Sequence, residues 1–262
     1  MKISSPVRHY RFFGFAGLLA LVLISAFGST LSVGQQKIEM QNNIPVSPKG
    51  LANHPLPKLP VEFDTAEGQR IRVTAVARGL TNPFGIAFLP DGDFLVTERI
   101  GRLRIIRKGV LDPQPISGVP TSRNLGVSGE PGAVHGFMDV ILHPKYSDNH
   151  YVYICYTKPL DGARNATSVA RGKFDGKTLT EVKDIVVLEE GTGTSRIAFG
   201  RDGTLFMTTA GVAGDAAQDP KSQAGKVLRF RDDGSIPTDN PFAGKAGYKP
   251  EIYTMGHRSS LG

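Results

Sequence analysis

The sequence holds a single cysteine, Cys155, among 262 residues. One thiol cannot close an intrachain disulfide or supply the paired cysteines of a zinc site, so both are excluded within the chain. Cys155 lies in the apolar run Tyr151 to Tyr156 and reads as a buried structural thiol. No apolar run reaches the ~20 residues of a membrane-spanning helix. Beyond Gly34 no stretch carries the 3.6-residue period of a helix of any length. The basic cluster Arg99, Arg102, Arg104, Arg107 and Lys108 has no interleaved aromatic residue, which argues against nucleic-acid binding. On an alternating strand these side chains are expected on one solvated face.

What is present begins with an address. Met1 to Arg11 carries Lys2, Arg8 and Arg11 and no acid, the apolar run Phe12 to Phe27 follows, and small residues lead to Ser32-Val33-Gly34. Basic, apolar and small-residue segments in this order define a secretory signal peptide over residues 1–34, with an uncleaved membrane anchor as the other reading. The expected location is exported, periplasmic or extracellular. Contact with a membrane is expected only through the signal segment if it stays attached. Removing it leaves 28 basic residues against 24 acidic ones, a mild excess. Residues 35–66 contain Pro45, Pro48, Pro55, Pro57 and Pro60 and no apolar period, and read as a proline-bearing tether.

From residue 67 the chain repeats one phrase. Gly85-Ile86-Ala87-Phe88-Leu89-Pro90-Asp91-Gly92-Asp93-Phe94-Leu95-Val96-Thr97 is two apolar runs joined by a tight turn, the pattern of a β-hairpin. It returns over Met138 to Tyr156 and over Arg196 to Thr209. The turns, aligned at Pro90, Pro144 and Arg201, are 54 and 57 positions apart. A period near 50 with several short strands per repeat indicates an all-β propeller. Ile71 to Ala77 alternates as a half-buried strand and is a candidate to complete the last blade of a closed ring, and Glu251 to Gly262 is expected to open a fourth blade. The long stretches 111–136 and 211–220 read as face loops, where propellers build their sites. The first of them delivers His135 to the start of an inner strand at the channel mouth. His135 is the best-placed histidine for a polar role, against the alternative of a loop histidine bonded to backbone.

Several segments together resemble the glucose/sorbosone dehydrogenase family, the pyrroloquinoline quinone (PQQ) dependent aldose sugar dehydrogenases. They are Gly85 to Gly92 with Val96-Thr97-Glu98-Arg99, Met138-Asp139-Val140 with His143-Pro144, Gly225-Lys226-Val227-Leu228-Arg229, Asp233-Gly234-Ser235-Ile236-Pro237 and Gly256-His257-Arg258. The resemblance covers roughly residues 71–262 and implies a six-bladed propeller. Six blades of about 55 residues need about 330, and 71–262 supplies some three and a half. The sequence is therefore expected to be a C-terminally truncated, divergent member, with the calcium ligands and later cofactor contacts of the family beyond Gly262.

The resemblance also implies a site. The family's quinone-contacting glutamine falls at Val134, its general base at Thr192 and a second glutamine near Val212. A threonine hydroxyl has no pKa suited to taking a sugar hydroxyl proton near neutrality. The arginine that pairs with a quinone carboxylate is kept as Arg258, followed by Ser259 where the family has asparagine. A planar guanidinium suits a carboxylate bidentately. Arg258 and Ser259 are thus the expected cofactor-binding residues, His135 the replacement catalytic base, and no metal ligand is assigned. The implied activity is oxidation of an aldose by a quinoprotein using PQQ and calcium, with a sugar or other small polyol as substrate and the electron acceptor open. Two alternatives stand: a non-catalytic propeller binding carbohydrate or protein, and a calcium lactonase on a similar scaffold.

Overall fold

The computed structural model describes residues 40–41, 44–45, 58–123, 135–162, 164–211, 214–258 and 260. The chain divides into two units, residues 1–57 and 58–262. In the first, β1 (Met40–Gln41) and β2 (Ile44–Pro45) form a two-residue antiparallel ladder.

The second unit opens with a hairpin of β3 (Val61–Asp64) and β4 (Arg70–Val73), paired from Val61↔Val73 to Asp64↔Arg70. β3 therefore begins inside the stretch read from sequence as a tether. Its last proline, Pro60, stands one position before the strand, and Val61-Glu62-Phe63-Asp64 alternates as a strand should. β4 finds its partner in this local hairpin.

Three four-stranded antiparallel sheets follow, each built from strands consecutive in the chain. Blade one comprises β5 (Pro83–Phe88), β6 (Phe94–Glu98), β7 (Arg102–Arg107) and β8 (Val110–Leu111). Blade two comprises β9 (Phe137–Leu142), β10 (Tyr151–Pro159), β11 (Asn165–Phe174) and β12 (Leu179–Val187), with the single-turn helix α1 (Tyr146–Asn149) between its first two strands. Blade three comprises β13 (Ile197–Phe199), β14 (Leu205–Thr208), β15 (Lys226–Phe230) and β16 (Ile252–Met255). β16 corrects the expectation of a fourth blade: the loop 231–251 returns the chain to the free edge of β15, where Lys226 pairs with Met255 and Val227 with Thr254.

The blades stack through two apolar layers. Between blades one and two lie Leu95, Leu103, Ile105, Phe137, Val140, Ile154 and Phe174; between blades two and three lie Met138, Tyr153, Cys155, Val169, Leu205, Met207 and Leu228. Alternate residues of β10 enter opposite layers, so blade two is covered on both faces. That is why Val152 to Tyr156 is an unbroken apolar run rather than an alternating one. Burial pushes the Cys155 thiol up to about 12, as befits a structural cysteine.

The basic cluster is not one solvated face. Arg104 is buried, with its guanidinium against Glu98, and Arg102 Nε donates to the same carboxylate at 2.6 Å. Arg107 pairs with Asp93. Glu98 is itself buried, so these cations serve the interior of blade one.

His143 joins blades two and three. Its ring stacks on Tyr153 and meets Phe199 edge-on, and Nδ1 accepts from the Lys145 amide at 3.0 Å and from Asn149 Nδ2 at 2.7 Å. The neutral tautomer thus carries its proton on Nε2, which faces Asp232 Oδ2 at 3.6 Å. Burial holds the His143 pKa below its ordinary value, with Asp232 pulling the other way. A histidine whose pKa is lowered by folding adds stability that is complete above the ordinary value and is lost as pH falls through the lowered one. Urea midpoints should therefore fall between about pH 7.5 and about pH 5, and His143→Phe, which keeps the ring contacts, should flatten that decline. An unchanged slope in the variant would remove His143 as its source.

Candidate functional site

Consecutive antiparallel strands put alternate connections at opposite ends of the blades. The β5–β6, β9–β10 and β11–β12 turns share one end. The approaches to β9 and β13, the β14–β15 loop and the chain after β16 share the other, and His135, Thr192 and Arg258, singled out from sequence, lie there.

At that second end a cleft of about 500 Å³ is lined by Gly211, Asp215, Gln218, Gly256, His257 and Arg258, among others. The β14–β15 loop makes one wall. It is shaped by a turn in which Gln218 and Asp219 amides donate to Asp215 O at 2.8 and 3.1 Å. Beneath it Lys226, fully buried, donates from Nζ to the carbonyls of Ala216, Ala217 and Ala224 at 2.9, 3.0 and 2.7 Å. Burial lowers the Lys226 pKa, while Asp219 and Glu190 oppose that shift. The chain leaving β16 makes the other wall, tied down by Gly256 N to Ala217 O and His257 N to Gly225 O at 2.9 and 3.0 Å. Gly211 donates to the Arg258 carbonyl. Gly225 has to be glycine: at φ +66° its absent Cβ would stand 2.4 Å from His257 O and 2.5 Å from the Ala217 Cβ.

The cleft gathers a guanidinium, an imidazole, an amide and a carboxylate. Arg258 is exposed. His257 Nε2 lies 2.7 Å from Thr254 Oγ1, which fixes the ring and leaves Nδ1 as its other nitrogen. Neither His257 nor Gln218 stands out in the sequence as a site residue. The signals available were the adjacency of His257 to Arg258 and the single amide in the small-residue loop 211–220.

His135 opens β9 at the same end but does not line this cleft. It is half-buried, and its carbonyl accepts from Arg99 Nε at 3.4 Å. Thr192, at the family's base position, is buried and donates from N and Oγ1 to Thr167 Oγ1 at 2.9 and 3.1 Å. Its hydroxyl is committed to the scaffold. Ser259, Val134 and Val212 lie outside the described residues. Among the described residues no three His, Cys, Asp or Glu side chains converge as a metal site.

Stacked four-stranded blades with a polar cleft among the connections at one end define a β-propeller. The family model of glucose/sorbosone dehydrogenases matches residues 80–262, and the chain belongs to that family. A curated relative described as uncharacterized, from Synechocystis sp. (strain ATCC 27184 / PCC 6803 / Kazusa), is 37% identical over 77% of this chain and 53% of its own length. Aldose sugar dehydrogenase YliI of Escherichia coli (strain K12) is 30% identical over 73% of this chain and 52% of its own. Among solved structures, the PQQ-bound form of aldose sugar dehydrogenase from Streptomyces coelicolor superposes with a TM-score of 0.58 at 28% identity, covering 71% of this chain and 54% of that one. The chain spans about half the length of the curated relatives it matches.

Proposed function

We propose that this protein is an exported quinoprotein that oxidises the C1 hydroxyl of an aldose, with the cleft at Arg258 receiving a carboxylate of PQQ. The observation that carries this reading is the convergence of Arg258, Gln218 and His257 in one cleft of a chain belonging to the sugar dehydrogenase family. The residues fit a carboxylated planar group. Arg258 offers a bidentate fork, the Gln218 amide a neutral donor, and the close approach of Gly211 and Gly225 to the β16 exit leaves the cleft wall as backbone. A bound ortho-quinone supplies a two-electron acceptor for the substrate hydride. This chain's own part is to orient that group and to take the hydroxyl proton. Two imidazoles at this end have suitable chemistry, His135 and His257, and His257 is the one that shares the cleft with Arg258. Calcium, which the resemblance also implies, is assigned no ligand, since among the described residues no three His, Cys, Asp or Glu side chains converge.

The test is titration of the protein with PQQ, followed by cofactor absorbance and by sugar-dependent dye reduction. Arg258→Ala is expected to weaken uptake about tenfold or more, and Arg258→Lys to recover only part of it, since an ammonium lacks the fork. Equal uptake by Arg258→Ala would remove the cleft as the carboxylate site. No uptake by the unaltered protein would turn the reading towards a propeller that binds carbohydrate or protein without chemistry. Export through residues 1–34 is tested by N-terminal sequencing of the secreted product, with a start near residue 35 expected.

A further inference from the structure

We propose that the groove between blades one and two, at the end of the sheets opposite the Arg258 cleft, binds a neutral pyranose. It measures about 640 Å³ and is formed by the Pro90–Asp91 turn, the β7 end at Arg107, the α1 segment and the β11–β12 turn. Every one of those connections leaves the first end of the blades, so this site is separate from the cleft by topology.

Its chemistry selects the ligand. Leu89 and Phe174 give it an apolar floor, and Tyr146, half-buried with its ring edge-on to His150 at 5.6 Å between centroids, supplies an aromatic wall. The two cations at the rim are already neutralised: Arg107 Nη1 lies 3.2 Å from Asp93 Oδ2, and Lys173 Nζ lies 2.9 Å from Glu181 Oε1. Asp91 and Asp175 are exposed at the same rim, and one oxygen of each caps the turn that follows: Asp91 Oδ1 accepts from the Asp93 amide at 3.0 Å, and Asp175 Oδ1 accepts from the Lys177 and Thr178 amides at 2.8 and 2.7 Å. An anion such as phosphate would meet two carboxylates and no unpaired cation. A purely apolar ligand would leave the carboxylates and the tyrosine hydroxyl without partners. A pyranose satisfies both demands: its C–H face lies on the aromatic wall and its hydroxyls donate to the carboxylates.

The probe is maltose, titrated calorimetrically into the unaltered protein and two variants, with inorganic phosphate as competitor. Ser147 is exposed on α1 at the groove edge, so Ser147→Trp fills the groove without touching the core. Maltose is expected to bind with a millimolar constant, weakened about tenfold or more by Ser147→Trp and unchanged by Arg258→Ala. No maltose binding, full binding by a folded Ser147→Trp, loss on Arg258→Ala, or displacement by phosphate would each overturn the proposal. Because the readout is binding and not oxidation, failure here is distinct from failure of the quinoprotein reading.

Discussion

Asp139→Ala is expected to cost about 3–5 kcal/mol and to lower the melting temperature by roughly 10 °C, because it opens the clasp that joins three blades. Asp139 sits on β9, the inner strand of blade two, almost fully buried. Its Oδ2 accepts from the Ile197 amide of β13 at 3.0 Å, and its Oδ1 accepts from the Val140 amide at 3.0 Å and from Arg196 Nη1 at 3.4 Å. Arg196 in turn donates to Phe84 O at 3.1 Å and lies over the Phe84 ring, which belongs to blade one. Gly85 is pressed onto the same point, its absent Cβ 2.9 Å from Asp139 Cα. Removing the carboxylate takes the side-chain acceptor from the Ile197 and Val140 amides and the ion-pair partner from Arg196, which keeps its carbonyl acceptors, in one step.

Burial raises the Asp139 pKa, and the Ile197 amide and Arg196 offset part of that shift. A carboxyl raised by folding favours stability below its ordinary pKa and loses that contribution as pH rises through the raised value, so its charge is held at a cost that the clasp repays only in part. Denaturant unfolding of Asp139→Ala, Arg196→Met and the double variant checks the coupling. The double variant should lose clearly less than the sum of the singles. Additive losses, or a single loss below about 1 kcal/mol, would show that blade contact is apolar alone.

The blade scaffold was legible because its signals are local. Pro90-Asp91-Gly92 builds the turn that Gly92 N closes onto Leu89 O, and Asp202-Gly203 repeats it with Gly203 N onto Gly200 O. The apolar run Tyr151 to Tyr156 marked Cys155 as buried, and the two layers beside β10 show why the run is unbroken. What was not legible depends on choice of partner. Ile252–Met255 has the same composition whether it opens a blade or closes one, and the return through 231–251 decides it. Arg104 looks like surface on any hydropathy scale, and its burial is explained by the buried Glu98 beside it and by the Asp112 carbonyl, which accepts from Nη2 at 2.7 Å. The candidate site was half legible. Arg258 was visible through resemblance, while the proximity of Gln218 and His257 to it depends on Lys226 and Gly225 folding the β14–β15 loop back on the β16 exit.

Gly136→Ala should be the most damaging single-methyl change at the site end. Gly136 follows His135 and has φ +94°, and an added Cβ would lie 1.6 Å from the Arg99 carbonyl oxygen. That is inside bonding distance, so the backbone of either β9 or the β6–β7 turn has to move. The movement strikes two anchors at once: Gly136 O accepts from the Thr157 amide at 2.9 Å, and Arg99 Nε donates to His135 O. Gly92 supplies the internal control, since it has nearly the same dihedral, φ +88°, with open space where its Cβ would stand. Gly92→Ala isolates the conformational strain of a left-handed alanine, about 1 kcal/mol, from the clash. Gly136→Ala adds the collision and should lose about 4 kcal/mol or more. If the two variants melt together, the close approach of Arg99 to the β9 entrance is not a constraint in solution. If Gly136→Ala folds but takes up quinone normally while Arg258→Ala does not, then the His135 segment plays no part in the cleft, and His257 becomes the imidazole to follow.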